Sequence, residues 1–180
     1  MAFEAAVLPH LDAAYTLARY LLRDQTDAQD AVQDAVLRAL KYFRRSEVAD
    51  PKAWLLAIVR NTCYTLRGRW TARANVEEYD DVLHTPAGDD ESGGPDLPPG
   101  VTVEAVRNAI GDLPVQYREV VILREVQGCS YQEIAQIVNV PVGTVMSRLS
   151  RARERLRRAL ASAATTSGST ERARAGKEER

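Results

Sequence analysis

Residues 130–158 read SYQEIAQIVNVPVGTVMSRLSRARERLRR. Ser130 followed by Glu133 is a capping box, so the spacing predicts a helix starting there. Ile134, Ala135 and Val138 give that helix one apolar face. Pro141 lacks an amide donor and fits only the first turn of a helix, so it ends the first helix or opens a second. Val142, Val145, Leu149, Leu156 and Leu160 line the inner side of the next helix, with Ala152 and Ala159 filling in. Its other side carries Arg148, Arg151, Arg153, Arg155, Arg157 and Arg158, opposed within the segment by Glu154 alone. Two short helices, a tight turn and a basic second helix form the helix-turn-helix pattern, in which the second helix enters the DNA major groove.

A charge run is usually a solvated helix face, and paired helices occur in any all-α protein. Ordinary surface helices carry both signs, however, and this one hardly does. Gly143 and Thr144 stand where the second helix begins, a position that suits close backbone approach to a phosphate. The candidates that charge and position give for DNA contact in this helix include Gly143, Thr144, Arg148, Arg151 and Arg153.

The chain of 180 residues has room for one or two small domains. Its formal net charge is −1, so it is no polycation. The charge is instead sorted along the chain. Lys52 to Arg73 contains basic residues and no acid, whereas Glu77 to Glu104 contains acids and neither Lys nor Arg. Such alternation implies surfaces for polyanions and one that attracts a basic partner or imitates nucleic acid. No apolar run is long enough to span a membrane and no secretory leader is evident, so a cytoplasmic protein without membrane insertion is expected. Cys63 and Cys129 make no disulfide framework and are expected to be buried thiols. His10 and His84 are isolated, so neither a metal site nor a cofactor is expected.

Strand signals are nearly absent and helix signals abundant, which predicts an all-α fold. Leu11, Ala14, Tyr15, Ala18 and Leu22 form a buried stripe. A second helix is predicted from about Asp27 to Phe43, with Ala28, Val32, Ala35, Val36 and Ala39 on one side. A third starts at Asp50-Pro51, an N-cap followed by proline at the first position, and continues to about Trp70. The sequence thus divides into a helical domain at 1–74 and an acidic, Gly- and Pro-rich flexible linker at 75–100. A second helical domain at 101–161 ends in the helix-turn-helix, and a disordered tail follows at 162–180.

Two further surfaces carry chemistry. On a helical projection of residues 51–70, Arg60, Asn61, Tyr64 and Arg67 share one side, with Trp54 and Thr65 at its edge. Guanidinium groups interleaved with an amide and rings suit single-stranded DNA: cations track the backbone and aromatics accept unstacked bases. An ordinary amphipathic helix with Trp54 in the core is the plainer alternative. In the second helix, Asp27, Asp30 and Asp34 lie opposite the apolar stripe, with Gln33 beside them. Acids in a first turn favour the helix dipole. Three together exceed that need and offer a docking strip for a basic helix of another protein.

DAQDAVQDAVLRALKYF, PKAWLLAIVRN, the acidic segment and LPVQYREVVILREVQGCSYQEIAQIVNVPVGTVMSRLSRAR together resemble a bacterial RNA polymerase sigma factor. More narrowly, the chain is similar to the small extracytoplasmic-function class of the sigma-70 family. That resemblance covers about 3–70 and 101–160. It implies partners: core RNA polymerase (the β′ clamp helices and the β flap), promoter DNA and, in many relatives, an anti-sigma factor. By resemblance, Asp30, Gln33 and Asp34 dock on the clamp helices. By the same resemblance, the Trp54–Arg67 face and the 42–53 loop melt and read the −10 element, and the helix from Gly143 to Arg158 reads the −35 element, with Met146, Ser147, Arg148 and Ser150 at base-facing positions. Met146 departs from the family pattern, where Lys or Arg is frequent. No catalytic residue is implied.

Two rivals have other consequences. A stand-alone helix-turn-helix regulator would bind duplex DNA as a dimer on palindromic half-sites. A DNA-acting enzyme would need a nucleophile with supporting acid and base groups, and no such cluster is evident.

Overall fold

The computed structural model describes residues 2–43, 48–71 and 101–175, and all its regular elements are helices. The linker expected at 75–100 and the loop at 44–47 lie outside the described residues. Helix α1 (Phe3–Val7) passes through a single 3₁₀ turn into α2 (Leu11–Leu22). Helix α3 (Gln25–Phe43) and α4 (Pro51–Thr71) complete the N-terminal unit. The C-terminal unit comprises α5 (Val103–Asp112), α6 (Val115–Val121, continuing as a widened turn over Ile122–Val126), α7 (Tyr131–Val138) and α8 (Val142–Ala175).

Local chemistry sets most boundaries. Asp24 accepts from the Asp27 amide and Asp50 from the Ala53 amide, which caps α3 and α4. Thr102 caps α5 in the same way. Ser130 and Glu133 form the complete reciprocal capping box of α7. Helix α7 ends on Asn139 at φ 54°, a left-handed position that asparagine tolerates better than most residues. After α6 the helix widens: the Gln127 amide reaches back five residues to the Ile122 carbonyl at 3.0 Å. The segment from Val115 to Val126 is therefore not one uniform α-helix. Helix α8 runs past Leu160 to Ala175.

Small residues position α3. Ala28, Ala31, Ala35 and Ala39 are fully buried on its inner side and let it lie close against α2 and α4. Leu17, Leu21, Leu55, Leu56 and Val59 fill the space between. In the C-terminal unit, Val120, Ile122, Leu123, Ile134, Val145 and Leu149 form the corresponding interior. The two units are not separated. Helix α4 packs on α7 and α2 on α6, so the apolar interior is continuous across both.

Candidate nucleic-acid interface

The packing of the two units decides what the basic faces can do. Arg60 and Tyr64, one turn apart on α4, point into the C-terminal unit, where Glu119 of α6 meets them. Glu119 Oε2 accepts from Arg60 Nε at 2.8 Å and from Tyr64 Oη at 2.9 Å. Its Oε1 accepts from Arg60 Nη2 at 3.2 Å and from Arg148 Nη1 of α8 at 3.4 Å. The Arg60 guanidinium also lies 4.4 Å from the Tyr64 ring centroid. The Glu119 side chain is 1% exposed, those of Arg60 and Arg148 only 16% and 18%. Burial opposes the charge of Arg60, but the hydrogen bond and charge of Glu119 outweigh it, so its pKa sits above the ordinary value. Burial, then the charge of Glu119, pushes the Tyr64 phenol up as well and keeps it protonated as a donor.

The expected solvent-facing strip on α4 is corrected accordingly. Asn61 and Thr65 face solvent, whereas Arg60, Tyr64 and Arg67 are partly buried. Arg67 Nη1 donates to the Leu21 carbonyl at 3.4 Å, within its own unit. Trp54 packs on the core, with its ring centroid 6.0 Å from that of Phe43, which in turn meets Phe3 edge-on. The helical period put these residues on one side, as it must. It did not show that a second unit covers that side.

On α8, Gly143 and Ser150 are exposed, and Thr144, Met146, Ser147 and Arg151 are partly buried. A Cβ on Gly143 would meet no atom within 4 Å, so nothing inside the protein requires glycine there. Ser147 Oγ donates to the Thr144 carbonyl at 3.0 Å. Arg153 is tied to Glu125 at 2.8 Å, and Arg155 lies 5.0 Å from the Tyr117 ring centroid. Glu154 pairs with Arg157 and Arg158. The arginine face is thus partly neutralised by Glu119 and Glu125 of the α6 segment, which no reading of residues 130–158 alone reveals.

The acidic strip on α3 is intact. Asp24, Asp30 and Gln33 are exposed, and Asp27 and Asp34 partly so. The Asp27 carboxyl is raised, by desolvation and then by the neighbouring charges of Asp24 and Asp30. Asp34 makes an i,i+4 pair with Arg38 at 2.8 Å. Sequence reasoning missed the strip's continuation: Leu37, 65% exposed, follows Asp30 and Asp34 on the same face, and Leu40 and Tyr42 are also exposed. A large apolar residue opposite the alanine stripe was the available signal.

Arg118 was also missed. It is 5% exposed, and its guanidinium donates to four carbonyls. These are Ile110 at 3.3 Å, Gly111 at 2.6 Å, Leu113 at 2.7 Å and, across the unit boundary, Tyr20 at 3.0 Å. Burial, followed by the charges of Arg23 and Arg67, pulls its pKa down to about 10. Both cysteines are buried, and burial pushes the Cys63 thiol up to about 12. Neither thiol is therefore expected to react with a disulfide reagent at neutral pH until the protein unfolds. Titration before and after denaturant checks this; prompt reaction of the native protein would refute it. Among the described residues, no group of three His, Cys, Asp or Glu side chains gathers as a metal site.

Comparison with known proteins places this geometry. Residues 6–72 match the family model for sigma-70 region 2, and residues 103–156 match sigma-70 region 4. The chain is 34% identical over 164 residues to the ECF RNA polymerase sigma factor SigE of Mycolicibacterium smegmatis, covering 88% of this chain and 62% of that one. It is 35% identical to the ECF RNA polymerase sigma factor SigM of Mycobacterium tuberculosis, covering 88% of this chain and 77% of that one. Among solved structures, it is similar to the sigma factor RpoE from Bartonella quintana, co-crystallised with the anti-sigma factor NepR. The TM-score is 0.67 at 31% identity, covering 88% of this chain and 96% of that one. CnrH in complex with the cytosolic domain of CnrY gives 0.57 at 26%, covering 86% and 84%.

Proposed function

This chain belongs to the extracytoplasmic-function sigma factors of the sigma-70 family, and from that premise we propose how its surfaces divide the work of starting transcription. It directs RNA polymerase to promoters. The observation that carries this is order: a region 2 unit followed by a region 4 unit on one chain. A stand-alone regulator would have only the second, and is not favoured.

In our reading, Asp27, Asp30, Gln33 and Asp34, extended by Leu37, form the docking strip on the β′ clamp helices. The C-terminal unit meets the β flap. Trp54, Arg60, Asn61, Tyr64 and Arg67 serve the −10 element, with rings and cations receiving the opened strand. Gly143, Thr144, Met146, Ser147, Arg148, Ser150, Arg151 and Arg153 serve the −35 element. The 1–74 and 101–161 domains act as separate grips, joined by residues 75–100. An anti-sigma factor is a fitting partner, since RpoE was solved bound to the anti-sigma factor NepR. No covalent chemistry is assigned to any residue, and the protein works in the cytoplasm beside polymerase. No helix among the described residues is long and apolar enough to cross a membrane.

Run-off transcription with purified core polymerase on a randomised promoter library tests the reading. The wild-type protein is expected to select a bipartite promoter; failure to programme any start site would sink the assignment. Arg148→Ala is expected to lose about 1–3 kcal/mol of discrimination at one −35 position, the range for a direct base contact. Equal loss on every sequence would move Arg148 to the phosphate backbone.

A further inference from the structure

A cleft of about 510 Å³ lies between α2 and α5, and its walls include none of the residues assigned above to polymerase or promoter. That volume falls within the ~300–1,000 Å³ of sites that take small organic molecules. Tyr15, Arg19 and Arg23 line it from one side of α2 at four-residue spacing, with Tyr20 beside them. Arg107, Asn108 and Gly111 of α5 form the other wall. The three arginines are exposed and the two tyrosines partly buried. Arg23 closes α2 at φ 64°, a left-handed position that glycine more often fills. Its guanidinium lies over Gly111, where a Cβ would come within 3.4 Å of Nη2.

Cations near helix C-termini are usually explained by the helix dipole. Here the terminal carbonyls already have other donors. Arg118 serves those of Tyr20, Ile110 and Gly111, and Arg67 serves that of Leu21. Arg19, Arg23 and Arg107 are thus not needed as caps. Among the described residues, Arg19 and Arg107 pair with no carboxylate. Arg23 reaches Asp112 only at 3.6 Å, with both side chains more than half exposed. A pair of that kind contributes little and yields readily to a ligand. The excess positive charge is felt below the cleft: burial first, and the charge of Arg23 second, pull the Arg118 pKa down. Three guanidinium groups in one concavity suit a chain of phosphates, and the neighbouring rings suit a stacked base. We propose that the cleft binds a purine nucleoside polyphosphate, with Arg19, Arg23 and Arg107 on the phosphates and the Tyr15 and Tyr20 side of α2 against the base.

Calorimetric titration of the full chain with ATP, GTP and inorganic tripolyphosphate tests the site. The salt is held at about 0.15 M, where loose ionic attraction is screened. ATP or GTP is expected to bind about tenfold or more tighter than tripolyphosphate, a factor that stacking one base supplies. Arg19→Ala combined with Arg107→Ala is expected to weaken the nucleotide by about tenfold or more, since charge-assisted hydrogen bonds are lost. Both side chains are exposed, and unchanged circular dichroism is the control. Asn108→Asp keeps the shape and every arginine, and should also weaken binding, because it places a carboxylate in the cationic cleft. Failure of both nucleotides to bind would overturn the proposal, as would full affinity in both variants. Equal binding of tripolyphosphate would reduce the cleft to a site for bare polyanions. Displacement of the nucleotide by oligothymidylate at equal phosphate concentration would make it a nucleic-acid contact instead, and either result removes the nucleotide site.

Discussion

Arg118→Ala is expected to destabilise the protein by about 3–5 kcal/mol, because it strands several buried carbonyls at once. A single uncompensated buried acceptor costs about 1–3 kcal/mol, and the four partners of this guanidinium are not additive. Two of them, the Ile110 and Gly111 carbonyls, belong to the end of α5, where Ile110 also accepts from the Leu113 amide at 3.2 Å and the guanidinium completes the helix end. The side chain therefore does the work of a C-cap for α5 from a different helix. It also ties α6 to the Tyr20 carbonyl of α2. Arg118→Lys is expected to recover under half of the loss, since one ammonium cannot reproduce a planar fork. Urea denaturation followed by circular dichroism measures both. A loss below about 1 kcal/mol for alanine, the size of an ordinary surface change, would show that water replaces the guanidinium. A sequence reader would place Arg118 on a wet surface, as the helical pattern of VQYREVV permits. Only the fold brings four acceptors around it.

The second large effect is expected on the acidic side of α3. Asp30→Lys combined with Asp34→Lys should weaken association with core polymerase by roughly a hundredfold or more, because like-charge juxtaposition costs several kcal/mol. The side chains are at least partly exposed, and the pair of Asp34 with Arg38 is a surface i,i+4 pair worth little. Folding should thus be nearly unaffected, and unchanged circular dichroism is the control. Leu37→Ala should weaken docking by a smaller factor, as expected for a buried contact at the rim of a charged strip. Undiminished co-purification of the double variant with polymerase would remove α3 from the docking surface.

Much of this architecture is legible residue by residue. The Ser130–Glu133 box, the Asp50-Pro51 start and the alanine stripe of α3 are local or periodic signals, and the helices they predict are present. The turn at Asn139 is equally local, yet it passed unread beside the louder Pro141. The widened turn at Ile122–Val126 had no signal beyond Gly128, which adopts φ +68° just after it. The faces themselves were read correctly as faces. The error lay in supposing that a polar, basic side of α4 looks out at water.

That error separates the two sources of information. Which residues share a helix side follows from a period of 3.6 and needs no partner, so the sequence by itself determined the helices, their caps, the basic α8 and the acidic α3. Which side meets which is a matter of long-range packing. No periodicity encodes that Glu119 lies against Arg60, Tyr64 and Arg148, residues distant from it in the chain and near it only in the fold. Tertiary structure alone decided that residues of the two faces proposed to read DNA are turned toward one buried carboxylate, because a charge leaves water only where opposite charge and donors converge on it.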